Sequence, residues 1–229
     1  MSEVLPRIFK IIFLFLFCCL TTANAAQADL RPQVEAVQQR YRSLTSLSFN
    51  FRQTTGSGGR ARHGAGNCIF YRPAPIRAGI MRWNYMAPDV QIIVNDGKQL
   101  SIYNEKDKQL LVSSAKELES DITYSLFAGK GNLLDDFSLE PADSRAKTGN
   151  GLYVVKLVPK KPHGQIKSVH CWFDKNSVIR QLVLEDHFDT LTKLEFSNIK
   201  FNTFPANSAK VEEELVRLNV PQGTEVVRQ

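Results

Sequence analysis

Few places in this chain could hold reaction chemistry. Its four histidines, His63, His163, His170 and His187, include no pair at the spacing that sets two imidazoles side by side on a helix. His187 lies among three carboxylates in "EDHFD", residues 185–189, a donor set that a metal could use. The same run separates two apolar stretches, where a hairpin turn belongs, so no metal is assigned to it. "GSGGR", residues 56–60, lacks the Gly-Lys-Ser/Thr ending of a phosphate loop, and no Gly-x-Ser-x-Gly elbow presents a serine nucleophile. Cys68 and Cys171 sit within apolar strand patterns, where a thiol is inert. No catalytic residue, metal ligand or cofactor is expected. The unusual residue is Arg72. In "FYRPAPIRAGIMRWNY", residues 70–85, Phe70 and Arg72 share one strand face, and Met81, Trp83 and Tyr85 share a face of the next. A guanidinium in a dry core demands a paired carboxylate. At the mouth of an apolar cavity it can instead bond to whatever closes that cavity, so the chemistry indicated is binding.

The chain opens with Arg7 and Lys10, an apolar run over residues 11–20, and Ala23-Asn24-Ala25. That order is a secretory signal peptide, cleaved after Ala25 or alternatively after Ala28. The run is short of the roughly 20 apolar residues that span a bilayer. Residues 26–229 are then one exported domain. The net charge of +6 falls to +5 once Arg7, Lys10 and Glu3 are removed. Export turns that charge away from nucleic acid and toward anionic head groups or acidic partner proteins. Of the four cysteines, Cys68 and Cys171 remain in the exported part. An oxidising compartment permits a disulfide between them; two buried thiols is the alternative.

These residues need elements to position them. Leu30, Val34, Val37, Tyr41 and Leu44 recur at helical spacing, with Asp29 as N-cap and Pro32 in the first turn. From Leu47 the period becomes two: Leu47, Phe49 and Phe51 oppose Ser48, Asn50 and Arg52. "TTGSGGRARHGAG" reads as a Gly-rich turn region. Strands follow at "NCIFYR", "IMRWNY", "VQIIV", "QLSIYN" and "QLLVS", with a two-residue Asp96-Gly97 turn among them. Ser114 and Glu117 form a capping box for a helix through "KELESDITYSLFAG", ended by Gly129 or Gly131. The second half reads as strands again, with a short helical piece at "PANSAKV" and a last strand at "ELVRLNV". About ten sequential strands imply one curled antiparallel sheet with helices against one side. Aromatic residues occur on most of them, which suits either a sandwich core or a concave apolar cavity.

"FYRP", then "MRWNYMAPD", then "QIIVNDGKQLSIYN", together with "SFNFRQ" after the leading helix and "LNVPQGTEVV" at the end, resembles the outer-membrane lipoprotein carrier (LolA) family of the bacterial periplasm. The resemblance implies a mainly β fold: an incomplete, half-open antiparallel barrel of about eleven strands, covered by a helical lid and enclosing an apolar cavity. It implies a monomeric periplasmic carrier that is not an enzyme. Such a carrier takes triacylated lipoproteins from an inner-membrane ABC-type release complex and delivers them to an outer-membrane receptor. Arg72 matches the family's strand-ending arginine, the lid latch, and is expected to bond to carbonyls within residues 129–132. Met81 and Trp83 match family positions, and with Phe49, Phe51, Cys68, Phe70, Ile92 and Val94 they are expected to line the acyl-chain cavity; Leu126 and Phe127 belong to the lid. "APIRAGIMR" is longer than the corresponding family segment. A binding protein for another lipid (a phospholipid or glycolipid) and a sensor of stray lipoproteins remain alternatives.

Overall fold

A computed structural model describes residues 29–229 apart from 74–78, 131, 145, 147, 148, 150 and 163, and apart from the side chains of 119 and 120. The leader, His163 and most of the long "APIRAGIMR" segment therefore lie outside the described residues.

Helix α1 (Arg31–Ser43) buries Val34, Val37 and Tyr41, the stripe its spacing predicts. Its N-cap is Leu30 rather than Asp29, although Asp29 Oδ1 still accepts from Arg31 N at 3.0 Å. The chain then enters β1 (Ser46–Ser57) and β2 (Arg60–Tyr71). The supposed Gly-rich turn region is in fact the outer half of this long hairpin. Only Gly58 and Gly59 form the turn, at φ +60° and +87°, a two-residue geometry that favours glycine at both positions. Next come β3 (Ile80–Ala87), β4 (Gln91–Asn95), β5 (Gln99–Asn104) and β6 (Gln109–Ser114). Lys98 joins Asp96 and Gly97 as a third residue between β4 and β5.

The expected single helix after β6 is two. A 3-10 turn (Ala115–Ser120) starts at Ser114, whose hydroxyl accepts from Lys116 N, and the chain turns extended at Asp121. Asp121 then caps α2 (Ile122–Phe127) by accepting from Tyr124 N at 2.7 Å. Gly129, at φ +64°, follows its C-terminus. A short α3 (Leu133–Asp136) leads into β7 (Phe137–Glu140), β8 (Tyr153–Pro159), β9 (Ile166–Phe173), β10 (Ile179–Asp186) and β11 (Leu191–Phe201). "ELVRLNV" is not a strand. Its first three residues complete α4 (Ala209–Val216), capped by Ser208, and the last strand is β12 (Glu225–Arg228).

Among the described residues the twelve strands form one open sheet, ordered β12-β6-β5-β4-β3-β2-β1-β11-β10-β9-β8-β7. All neighbours are antiparallel except β12, which runs parallel to β6. α1 and α2 pack on one face of the sheet, and α4 on the other, against β3 and β4. The helices are thus divided between both sides rather than gathered on one.

The register between β2 and β3 carries a bulge between Ala65 and Gly66. A Cβ at Gly66 would stand 1.8 Å from the Asn84 carbonyl oxygen and 2.9 Å from its carbon, and backbone cannot yield as a side chain would. Gly66→Ala should lose at least the roughly 1–3 kcal/mol of an overpacked core, read as a lower urea midpoint. An unchanged midpoint would show that the two strands can separate locally at little cost.

Candidate functional site

Residues paired across strands point to the same side of a sheet, so the register assigns every side chain to a face. Leu47, Phe49 and Phe51 on β1 oppose Phe70, Cys68 and Gly66 on β2, and these in turn oppose Met81, Trp83 and Tyr85 on β3. On the other wing, Phe51 opposes Phe196, Leu194 opposes Leu182, and Leu182 opposes Cys171. This face is apolar from wing to wing, and its side chains join those of α1 and α2 in one buried cluster.

The centre of that face is aromatic. Phe49 lies 5.0 Å from Phe196, 5.7 Å from Trp83 and 6.4 Å from Phe70 between ring centroids. Phe127, from α2, drops into the middle of this group, 4.9 Å from Phe49 and 5.0 Å from Phe196. Leu126 beside it is buried as well. Of the expected residues, Phe49, Phe51, Cys68, Phe70, Met81 and Trp83 gather under Leu126 and Phe127.

Ile92 and Val94 do not. Trp83 opposes Ile93, so it is Ile93 that shares the aromatic face, while Val94 opposes Arg82 and Ile92 opposes Asn84 on the outer one. Val94 is buried there, on the side that carries α4. Three β-branched residues in succession show no alternation, and a one-residue slip exchanges the faces, so the sequence could not choose between them.

Arg72 closes the edge of the site. Its Nη2 donates to Tyr41 O at 2.6 Å and its Nη1 to Arg42 O at 2.9 Å. These acceptors are the last carbonyls of α1, not those of residues 129–132. The reason is local: α1 passes straight into extended chain at Leu44, so its terminal carbonyls lack an intrahelical partner and carry the negative end of the helix dipole. Gly129 still belongs to the same corner. A Cβ there would come within 2.7 Å of Tyr41 O and 3.0 Å of Arg72 Nη1, so α2 ends against Arg72 only because this residue has none. Partial burial lowers the Arg72 pKa, but a guanidinium keeps its charge.

Sequence reasoning overlooked residues that the site uses. Tyr124 on α2 accepts from the buried Asn95 Nδ2 at 3.0 Å through its hydroxyl, tying α2 to β4. Arg82, on the opposite face, donates to Leu215 O at 3.1 Å and Arg217 O at 2.8 Å, holding the C-terminus of α4. The sequence carried no signal for it, since an arginine alternating with Met81 and Trp83 reads as an ordinary solvent-facing position. Beside the aromatic centre, where the two wings diverge, lies an open cavity of about 390 Å³. Trp83, Ile93, Tyr124, Ile166, Leu184 and Leu194 line it.

The geometry is that of an apolar concavity stopped by a helix, and comparisons with known proteins give it a lineage. The family model described as outer membrane lipoprotein carrier protein LolA matches residues 42–209. The chain belongs to that family. An outer-membrane lipoprotein carrier protein of Chromobacterium violaceum is 30% identical over 191 residues, covering 82% of this chain and 88% of that one. One of Nitrosomonas europaea is 29% identical over 167 residues, covering 73% and 74%. Two solved structures share the fold at 14% identity. MucB has a TM-score of 0.52, covering 85% of this chain and 65% of its own. An uncharacterized conserved protein of Thermus thermophilus has a TM-score of 0.51, covering 86% and 98%. No helix among the described residues is long and apolar enough to cross a membrane.

In this family member Cys68 and Cys171 are free thiols facing the buried cluster. Burial pushes the Cys171 thiol up to about 12 and Cys68 well above its ordinary range. At pH 8 Cys171 is then held as the thiol rather than the thiolate, the reactive form. Neither cysteine should react with a maleimide at pH 8 in the ligand-free protein, and both should react in denaturant. Rapid native labelling counted by mass would place the thiols outside the closed core.

Proposed function

We propose that this chain is a periplasmic carrier that shields the acyl chains of lipoproteins, accepting them from an inner-membrane ABC-type release complex and passing them to an outer-membrane receptor. The observation that carries this reading is the Phe127 plug. An aromatic face spanning both wings of a sheet is filled by a short helix whose contacts an alkyl chain can replace one for one.

The magnitudes support exchange. Taking an acyl chain out of water is favourable by about 0.8 kcal/mol per CH₂, on the order of 10 kcal/mol for a long chain. Releasing Phe127 and Leu126 costs about 1.5–3 kcal/mol each. Arg72's two hydrogen bonds are worth at most about 1.5–3 kcal/mol each, less for their partial exposure to water. Lid and ligand are therefore of the same order, and a bound chain is held but not trapped. In this reading the lid supplies the return force at the receptor, while the work of loading comes from the release complex.

Native mass spectrometry of protein isolated from a periplasmic extract should find it bound to triacylated lipoprotein; recovery with free phospholipid alone would replace the carrier reading with a lipid-binding one. Arg72→Leu tests the latch. Loss of the α1 carbonyl bonds and gain of apolar surface should leave cargo loading intact or stronger while transfer to receptor fails. A variant that transfers normally, or that neither loads nor transfers, would remove Arg72 from the release step.

A further inference from the structure

The lining of the concave face changes character along its strands. Phe51, Gly66 and Tyr85 make the last row of the aromatic band. The next row outward contains Gln53 and Gly64, and the row beyond it Thr55, Arg62 and Thr192. This polar zone belongs to the outer half of the β1–β2 hairpin, and it opens on a separate rim pocket of about 460 Å³. Gln53, Tyr85 and Thr192 line both that pocket and the apolar cavity of about 390 Å³, so the two adjoin.

A directed chain of hydrogen bonds marks the boundary. Tyr85 OH donates to Gln53 Oε1 at 2.7 Å, and Gln53 Nε2 donates to Thr55 Oγ1 at 3.0 Å. Thr55 Oγ1 lies 3.2 Å from Thr192 Oγ1. Burial pushes the Tyr85 phenol up to about 12, so it stays a donor at neutral pH. With the chain polarised from Tyr85 outward, Thr55 accepts from Gln53, one of the two threonine protons is spent in the Thr55–Thr192 bond, and the other remains to give. The Arg62 side of the pocket adds a guanidinium, which has donors only. Gly64 makes room for the arrangement, because a Cβ there would press on the Tyr85 ring at 3.2 Å.

The side of the pocket made by Thr55, Thr192 and Arg62 offers donors, while Asp89 and Asp107, from the β3–β4 and β5–β6 turns, are acceptors. A donor side next to the cavity of Trp83, Ile93, Leu184 and Leu194 suits a molecule with acceptors next to its alkyl chains. We propose that the rim pocket is a distinct subsite for the ester carbonyl oxygens of an acylated ligand's glycerol. The chains then run inward over Trp83 and Tyr85, and the peptide leaves across the β1–β2 hairpin. The inference rests on the carrier reading and adds to it a means of orienting the cargo.

The test uses two probes: a synthetic triacylated cysteinyl peptide with ester-linked glyceryl chains, and its ether-linked counterpart of equal chain length, which lacks those carbonyls. The native protein should bind the ester form about three- to ten-fold more tightly, the span of one good hydrogen bond or two weak ones. Thr55→Val with Thr192→Val keeps shape and strand preference and should bring that ratio close to one, while the ether form binds as before. Thr55→Ser with Thr192→Ser keeps the hydroxyls and should keep the ratio. Equal affinities in the native protein, or a ratio that survives the valine pair, would overturn the subsite. So would loss of both probes by a valine pair with an unchanged unfolding transition, which would make the threonines part of the sheet's framework. If the native protein binds neither probe, the carrier reading itself fails, and the subsite with it.

Discussion

Phe127 makes contact with Phe49, Phe70, Phe196 and Tyr41 at centroid separations of 4.9 to 5.9 Å, and the rest of the molecule is arranged around that insertion. An open sheet with an apolar face on both wings cannot leave that face wet. Aromatic side chains dominate such a surface energetically because each buries so much of it. The plug must fill the centre, yet α2 is only 6 residues long and could not hold itself there. It is held from its flanks instead: by Asp121 at the N-cap, by Asn95 through Tyr124, and by the corner where Gly129 meets α1.

Arg72, just past β2, and Arg82, within β3, show how the sheet treats its two faces. Arg72 and Arg82 each satisfy a pair of helix-terminal carbonyls, one on each side. The surroundings differ. On the outer face, Tyr71 is fully buried, donates to Pro205 O at 2.8 Å and accepts from Ser208 N at 2.9 Å, and packs with Ile80 and Leu215. Polar and apolar needs are met there by the protein's own groups in one small patch, which leaves nothing for a ligand to improve upon. The aromatic face is broader and borders free volume that the protein's own side chains leave open. Similar guanidinium clasps therefore hold α4 over a filled patch on one side and α1 beside a cavity on the other.

Much of this was legible in the sequence, and the failures have physical causes. The α1 stripe, the alternation of Leu47, Phe49 and Phe51, and the oddity of Arg72 all survive in the structure because each depends on local period alone. The face of Ile92 and Val94 depends on how the β3–β4 turn sets the register, and an unalternating run carries no trace of that. The Gly-rich arm misled for the opposite reason. It lacks apolar content because its inner row is a polar lining, so the periodic signal of a strand was absent where a strand exists. "ELVRLNV" alternates like a strand but packs as a helix end, since Leu215 is needed under Tyr71 and Ile80. The carbonyls that Arg72 meets lie 30 or more residues away, and composition cannot convey such a pairing.

The sheet's failure to close follows from the same constraint. A closed barrel has a fixed radius set by strand number and stagger, and small ones fill with their own side chains. Here the wings end at β12 and β7, two strands of 4 residues each. Such short edges limit pairing with other chains, the hazard an open sheet otherwise carries. β12 also covers β6, whose "QLLVS" run would make a more adhesive edge. With its edges blunted, the sheet gains stability from a cover rather than from closure, and the separation of its wings is not dictated by hydrogen bonding between them. The cavity of about 390 Å³ lies where they diverge, bounded by Trp83 and Ile93 on one wing and Leu184 and Leu194 on the other. A surface that must be covered, on a frame that need not close, favours a cover that can be exchanged.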